Sequence, residues 1–431
     1  MTRHLTAILL LLTLATSAHA QATDNQTAQP GFSGGAFPIL GYDPDMGMRL
    51  GVQGNFYDFR HGGYPNPRQN LYTEASWYMK GSQLYTLSYD NRFLIPGIRF
   101  TFTARYADEK AFDFTGFGGY ASYYDAGLPT AYYKMSRKMP AGRLDLTGRI
   151  AGNFYWKFGY DFKYFILNEF KSDKLQEVPY RKSLFAWYKD LGFIEADEFS
   201  GGMTSAWRAG LSYDSRDAEN MPSRGLWADA FVEWAPKWMG TNKPYGRYGA
   251  VVRNYIPLYG DALVLAWRAN VQGFIGKPAF YVLSLESVPG PGYDRDGFGG
   301  YNNIRGIMRG RIQGRSVCYF NTELRWIFYD TRILNQDFSL GANVFFDGGR
   351  VLTPYTDVSV DAAKWQVPLD AGKIPEQLTK GAPEAFHLAA GAGVRAILNR
   401  NFILSLDYGR AFSRQDNRMG GSLYFSTGYL F

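Results

Sequence analysis

Cysteine is almost absent from this chain: 431 residues carry one, Cys318. A single thiol excludes an internal disulfide framework and a cysteine-based metal cluster. In an oxidising compartment it reads as a small apolar residue in a strand. Histidine is nearly as scarce, with four in all and only His61 and His387 beyond residue 20. A Ser-His-acid hydrolase needs one well-placed histidine, yet His61 lies beside Gly62-Gly63 and His387 opens a strand-like segment. No His/Cys cluster is present. An enzyme, a resident metal and a cofactor are therefore not expected. Apolar runs are missing too. After Leu14 none approaches the roughly 20 residues that a spanning helix needs.

The one apolar run, Leu5 to Leu14, follows Arg3 and His4 and precedes Ala18-His19-Ala20. A charged start, a short apolar stretch and small residues at a cleavage site describe a Sec-type signal peptide over 1–20, cut after Ala20. Aromatics and glycine are abundant in the chain, with 32 Tyr, 32 Phe and 49 Gly. Mean hydropathy is nonetheless only −0.28. Strands that alternate lipid-facing apolar and lumen-facing polar residues produce this combination, because alternation dilutes the average while keeping one face apolar. The net charge of +7 is spread along the chain. It reads as a basic lumen and basic loop rims, or a surface near anionic lipid head groups, and not as a nucleic-acid footprint.

Residues 21–46 are polar and Pro/Gly-rich and read as an irregular periplasmic lead-in. From 47 to 431 the chain breaks into segments of about ten residues with period-two alternation, the length of a tilted spanning strand. About sixteen can be placed, from 47–60 to 420–431, with a separate strand at 128–137, and the middle pair, 142–152 and 153–166, has no clear turn between its halves. Connections alternate between short ones such as Lys80-Gly81-Ser82 and long ones near 108–127, 167–202, 276–311 and 350–384. The expected fold is all-β: a transmembrane antiparallel barrel of about sixteen strands, with short periplasmic turns and long outer loops. In hydrocarbon an unpaired backbone group costs several kcal/mol, so the sheet must close. Strand 47–60, carrying Gly51 and Gly54, is expected to meet 420–431, carrying Gly428. Glycine weakens pairing, which makes this the weakest seam. On the last strand Leu423, Phe425, Thr427, Tyr429 and Phe431 share one face, taken to be the lipid face. The terminal aromatic resembles the sorting signal of outer-membrane barrels.

Four motifs carry chemistry of their own. Asp214-Ser215-Arg216-Asp217 followed by Pro222-Ser223-Arg224-Gly225 reads as a strand end, a turn and a strand restart, with Asp217 bonding local backbone. Asn303-Ile304-Arg305-Gly306-Ile307 lies in a loop too long for simple exposure. Phe345-Phe346-Asp347-Gly348-Gly349 lies on a strand whose alternation turns Asp347 inward. On the preceding strand the same rule turns Glu323 inward, one register step away. A guanidinium from an infolded loop would bridge both carboxylates. The fourth motif runs from Gly391-Ala392-Gly393-Val394-Arg395 to Leu406-Asp407-Tyr408-Gly409. Together the four resemble the BamA/TamA superfamily, also called the bacterial surface antigen family, best over 203–431. They are similar to its DxRD…PxRG hairpin, the VRGF/Y motif of its sixth outer loop, the FxDxG strand that receives that loop, and its closing strands. The resemblance implies a loop-to-barrel clasp centred on Arg305 and Gly306 with Asp347 and Glu323. It also implies a part in outer-membrane protein assembly or export.

Two departures stand out. Members that insert or secrete proteins carry periplasmic POTRA domains, and residues 21–46 leave no room for one, so a barrel-only member working with separate periplasmic or outer-membrane assembly proteins is expected. Ile307 also stands where the family has an aromatic. Outer-membrane lipid is the other expected partner, and the barrel is expected to be monomeric. A small diffusion channel is the alternative. The repeated Gly-Phe-Gly-Gly-Tyr at 116–120 and 297–301 lacks the Lys and Ser/Thr of a phosphate loop and reads as loop-packing aromatics, or as an outer contact patch.

Overall fold

The computed structural model describes residues 31–43, 47–60, 67–178, 181–219, 221–288, 294–333, 336–356, 380–398, 402–427 and 429–431. The expected signal peptide at 1–20 and Gly428 lie outside them. Among the described residues, sixteen antiparallel strands form one closed barrel. In chain order they are β1 (Phe32–Asp43), β2 (Gly47–Asp58), β3 (Gln69–Tyr78), β4 (Gln83–Ile95), β5 (Ile98–Asp113), β6 (Lys134–Ala151), β7 (Phe154–Glu169) and β8 (Gly201–Asp214). The second half comprises β9 (Gly225–Ala235), β10 (Tyr245–Tyr259), β11 (Leu263–Ile275), β12 (Ser316–Ile333), β13 (Gln336–Thr353), β14 (His387–Leu398), β15 (Phe402–Ala411) and β16 (Gly421–Thr427). No described helix is long and apolar enough to cross a membrane. The crossing is made by strands.

The strand number agrees with the expectation through two compensating differences. The lead-in is not irregular, since Phe32–Asp43 is a strand paired with β2 along its whole length. Its prolines and glycines hide an edge-tolerant strand, because Pro38 sits where alternation alone does not decide. Conversely, 128–137 and 142–152 are not two strands. They merge into β6, where Met139-Pro140-Ala141-Gly142 imitates a turn without making one. It follows that β2, with Gly51 and Gly54, does not meet the last strand. The seam partner of β16 is β1, and among the described residues a single register pair, Tyr42 with Phe425, joins them.

Alternation sets the faces of the wall as expected. On β12 Leu324, Trp326 and Phe328 are exposed to the outside while Asn321, Glu323 and Arg325 are buried inward. Exposed aromatics ring both ends, with Trp77, Trp234 and Trp238 towards the long loops and Phe93, Phe154, Tyr259 and Phe328 towards the short turns. Two aromatic girdles around an apolar band mark a bilayer-spanning barrel.

Loops 114–133 and 170–200 and the start of loop 276–315 bury Phe114, Phe117, Phe185, Tyr188, Phe280 and Tyr281 in one aromatic core. That core roofs the outer mouth. Phe117 and Phe298, from the two Gly-Phe-Gly-Gly-Tyr repeats, are buried, so neither repeat is an outer contact patch. Their rings supply apolar area that the loops have no other means to bury. His387, at the start of β14, is likewise buried. It stacks on Tyr120 with ring centroids 3.9 Å apart and hydrogen-bonds Asp416, stitching three loops together.

Candidate functional site

The sixth outer loop, residues 276–315, descends into the bore. Its tip carries Arg305, whose side chain is fully buried. The Nε and Nη2 groups of Arg305 donate to the two oxygens of Asp347 at 2.9 and 3.2 Å, and its backbone N–H donates to Asp347 at 3.1 Å. Its Nη1 lies 2.6 Å from Glu323 and 3.7 Å from Asp407. The guanidinium also covers the Phe345 ring at 3.5 Å. Two further arginines complete the set. Arg325 pairs with Glu323 at 2.7 Å, and Arg395 donates to both oxygens of Asp407 at 2.8 and 2.9 Å. Three cations thus face three carboxylates out of water, in a setting where any unbalanced charge is costly. Burial alone would depress the guanidinium of Arg305, but Asp347 and Glu323 more than reverse this and hold it charged.

The strand motif explains itself residue by residue. Phe345, Asp347 and Gly349 are inward neighbours on β13. Phe345 gives the guanidinium a face to stack on, and Asp347 gives it a fork. Gly349 leaves room for Ile304, because a Cβ there would sit 2.6 Å from the Ile304 Cδ1. Ile304, Ile307, Ile312 and Phe298 then pack with Val317, Tyr319 and Val351. Ile307, where the family has an aromatic, fills this apolar niche.

Gly306 is needed twice over. Its φ is +88°, and a Cβ would lie 2.9 Å from the backbone of Gly409 and Arg410 on β15. Gly306→Ala is expected to cost about 1–3 kcal/mol in backbone strain, with overpacking added. Gly310→Ala is the control, having a φ of +70° but no backbone atom nearer than 3.7 Å. Unfolding midpoints from heat-modifiable gel mobility should fall further for Gly306→Ala, and equal falls would contradict the close approach.

The other limb of the loop is pinned to the opposite wall. Asp294 is buried among Arg143 at 3.2 Å, Lys163 at 2.7 Å, Arg208 at 3.9 Å and Arg247 at 3.8 Å, from β6, β7, β8 and β10. Burial pushes its carboxyl up, but Lys163 and the arginines win and hold it well below the usual range. Asp145, Asp161 and Glu233 balance the remaining cations.

Other residues singled out from the sequence sit elsewhere. Asp214 and Arg216 form a two-point pair at 2.9 and 2.7 Å, Asp217 accepts from the Ser223 N–H at 3.0 Å, and Arg224 reaches Asp261 at 3.3 Å. Asp214 and Gly225 bracket this periplasmic turn, and Pro222 lies within it. Tyr429 and Phe431 are not on the lipid face. The ladder ends at Thr427, and beyond it the alternation rule no longer applies. Tyr429 turns into the bore beneath Arg325 at 4.3 Å, and Phe431 sits against Arg268 and Arg325 at 4.9 and 4.8 Å. Asp407 was within reach of the same reasoning that found Glu323, since Leu406 and Tyr408 face outward around it. Asp294 has no local sequence signal at all.

A model of the Omp85 superfamily domain matches residues 97–431. Among solved structures, BamA from Haemophilus ducreyi lacking POTRA domains 1–3 is similar, with a TM-score of 0.56 and 16% identity over 93% of this chain and 70% of that one. CdiB from Escherichia coli gives a TM-score of 0.59 and 11% identity over 94% of this chain and 65% of that one. No curated protein sequence matches. At such identities the two structures speak for the fold alone, and this chain spans only about two thirds of each. The matched span begins at the turn before β5 and contains the infolded loop with all its wall contacts. By that match the chain belongs to the Omp85 superfamily, as an integral barrel of the bacterial outer membrane.

Proposed function

We propose that this barrel takes part in outer-membrane protein assembly or export, together with separate periplasmic or outer-membrane partners. The observation that carries the reading is the seam. β1 has twelve residues and β16 seven, yet among the described residues one register pair joins them, while β1 and β2 share twelve. An edge so thinly paired is ready to accept a strand from another chain, since exposed backbone groups in lipid must find partners. A diffusion channel needs a bore open from end to end, and here the roofing loops and the infolded loop lie across its outer part.

The test is to lock the seam. With Cys318→Ser to remove the native thiol, Tyr42→Cys and Phe425→Cys place two thiols on facing positions. Oxidation should deplete a set of outer-membrane or secreted proteins in cells that carry only this variant, and reductant should restore them. An unchanged protein profile with a fully formed cross-link would overturn the reading.

A further inference from the structure

Below the infolded loop the bore opens towards the short turns as a cavity of about 1800 Å³. Its roof includes Val288 and Arg295 of that loop, and its mouth is framed by Gly97, the turn at 214–223, and Asp261. We propose that this vestibule binds an acidic, extended polypeptide segment arriving from the periplasm, held by Arg253 and Arg325.

Charge is the first support. Eight cationic residues line the cavity against five acidic ones. Asp90 pairs with Arg99, Asp214 with Arg216 and Glu219 with Arg92, which leaves five lining cations against two lining carboxylates, with Asp229 behind Lys157 and Arg253 and Glu323 behind Arg325. Spare donors are the second. Arg253 and Arg325 are only 2% and 4% exposed. Arg253 reaches Asp229 through Nη1 at 3.2 Å and leaves Nε without a partner. Arg325 uses Nε and Nη2 and leaves Nη1 without one. Buried guanidinium donors left open call for an acceptor, and carboxylates match their fork.

Size and lining select polypeptide over a small anion. The cavity exceeds the roughly 300–1,000 Å³ of small-molecule sites. The Trp227 ring lies between Arg216 at 3.8 Å and Arg253 at 3.9 Å, with Tyr155 and Tyr429 nearby in the lining. Arginine with tyrosine and tryptophan is the composition enriched where proteins bind proteins. The mouth lies inside the barrel wall, so lipid has no lateral route to it. The proposal rests on the assembly-or-export reading only for the source of the segment.

The probe is a fluorescein-labelled decapeptide of alternating glutamate and serine, with a lysine/serine peptide as its charge reverse, titrated into the detergent-solubilised barrel and read by anisotropy. Saturable binding of the acidic peptide alone is expected. Arg253→Gln should weaken it roughly tenfold or more, as loss of a charge-assisted contact does. Arg332→Gln should change it less than about twofold, because Arg332 is 67% exposed and outside the cavity. Folding of each variant is checked by heat-modifiable mobility. A benzophenone form of the peptide on the unmodified barrel should cross-link within 212–227 and 253–264. Absence of saturable binding, equal losses in the two variants, or cross-links on the outer loops would overturn the proposal. Displacement by tripolyphosphate with the same dependence on Arg253 would overturn it in favour of a phosphate site. None of these results alters the outcome of the seam lock, so the two readings fail separately.

Discussion

Replacing Arg305 by alanine is expected to unplug the bore. In the native protein Arg305, Arg325 and Arg395 face Glu323, Asp347 and Asp407, all buried. Arg305→Ala leaves two cations for three carboxylates, and Asp347 loses both guanidinium hydrogen bonds. Removing one member of a buried pair costs about 3–5 kcal/mol, because the other charge stays buried. That is roughly 10²- to 4 × 10³-fold in the equilibrium between docked and undocked loop. In planar bilayers the wild-type barrel should therefore show small or fluctuating conductance, and Arg305→Ala a larger one. Arg305→Lys should fall between them, because it keeps the charge but loses the fork that spans both Asp347 oxygens. A large, stable wild-type conductance, or an Arg305→Ala trace equal to it, would count against the plug.

Asp294→Asn should produce an effect of similar size from the other limb. Four cations, Arg143, Lys163, Arg208 and Arg247, share Asp294 with Asp145, Asp161 and Glu233. The amide is the same size but carries no charge, leaving four cations to three anions deep in the barrel. A depressed carboxyl stabilises through its ionised form, so the native contribution is in full force above the unfolded aspartate value of about 3.9. It fades only as pH falls below that value, and the difference between wild type and Asp294→Asn should shrink in acid. The cost should again be about 3–5 kcal/mol, read as a drop in the heat-modifiable midpoint at neutral pH. Because both limbs belong to one loop, Arg305→Ala and Asp294→Asn should combine to less than the sum of their separate effects, since a loop released at one end has already lost part of its hold on the other. Strict additivity would mean that the limbs dock independently.

Much of the barrel was readable in the residues, and the failures have physical causes. Period two gave the faces of β12 and β13 correctly, and with them the inward carboxylates Glu323 and Asp347, because a buried ladder fixes side-chain direction absolutely. The same rule gave the wrong direction for Tyr429 and Phe431, which lie past the last ladder bond and follow the arginines of the bore instead. β1 was hidden by its composition: Phe32-Ser33-Gly34-Gly35-Ala36-Phe37-Pro38 carries too little apolar alternation to announce a strand, and pairing with β2 decides it. Asp294 was invisible for a different reason. Its partners come from four strands up to 151 residues away in sequence, as for Arg143, and no local pattern encodes such a meeting. The distinction is between sites built on a strand, where the backbone supplies the direction, and sites built on a loop, where only the folded wall does.

The most direct test is the accessibility of the loop tip in living cells. In a Cys318→Ser background, Ile307→Cys leaves every charged partner of Arg305 in place and reports on a residue that is fully buried, whereas Met419→Cys reports on an outer-loop residue that is 89% exposed. A membrane-impermeant maleimide added outside should label Met419→Cys within minutes and leave Ile307→Cys untouched until Arg305→Ala is introduced. Equal labelling of both thiols, with Arg305 still present, would place the loop in the water above the barrel and contradict its docking in the bore.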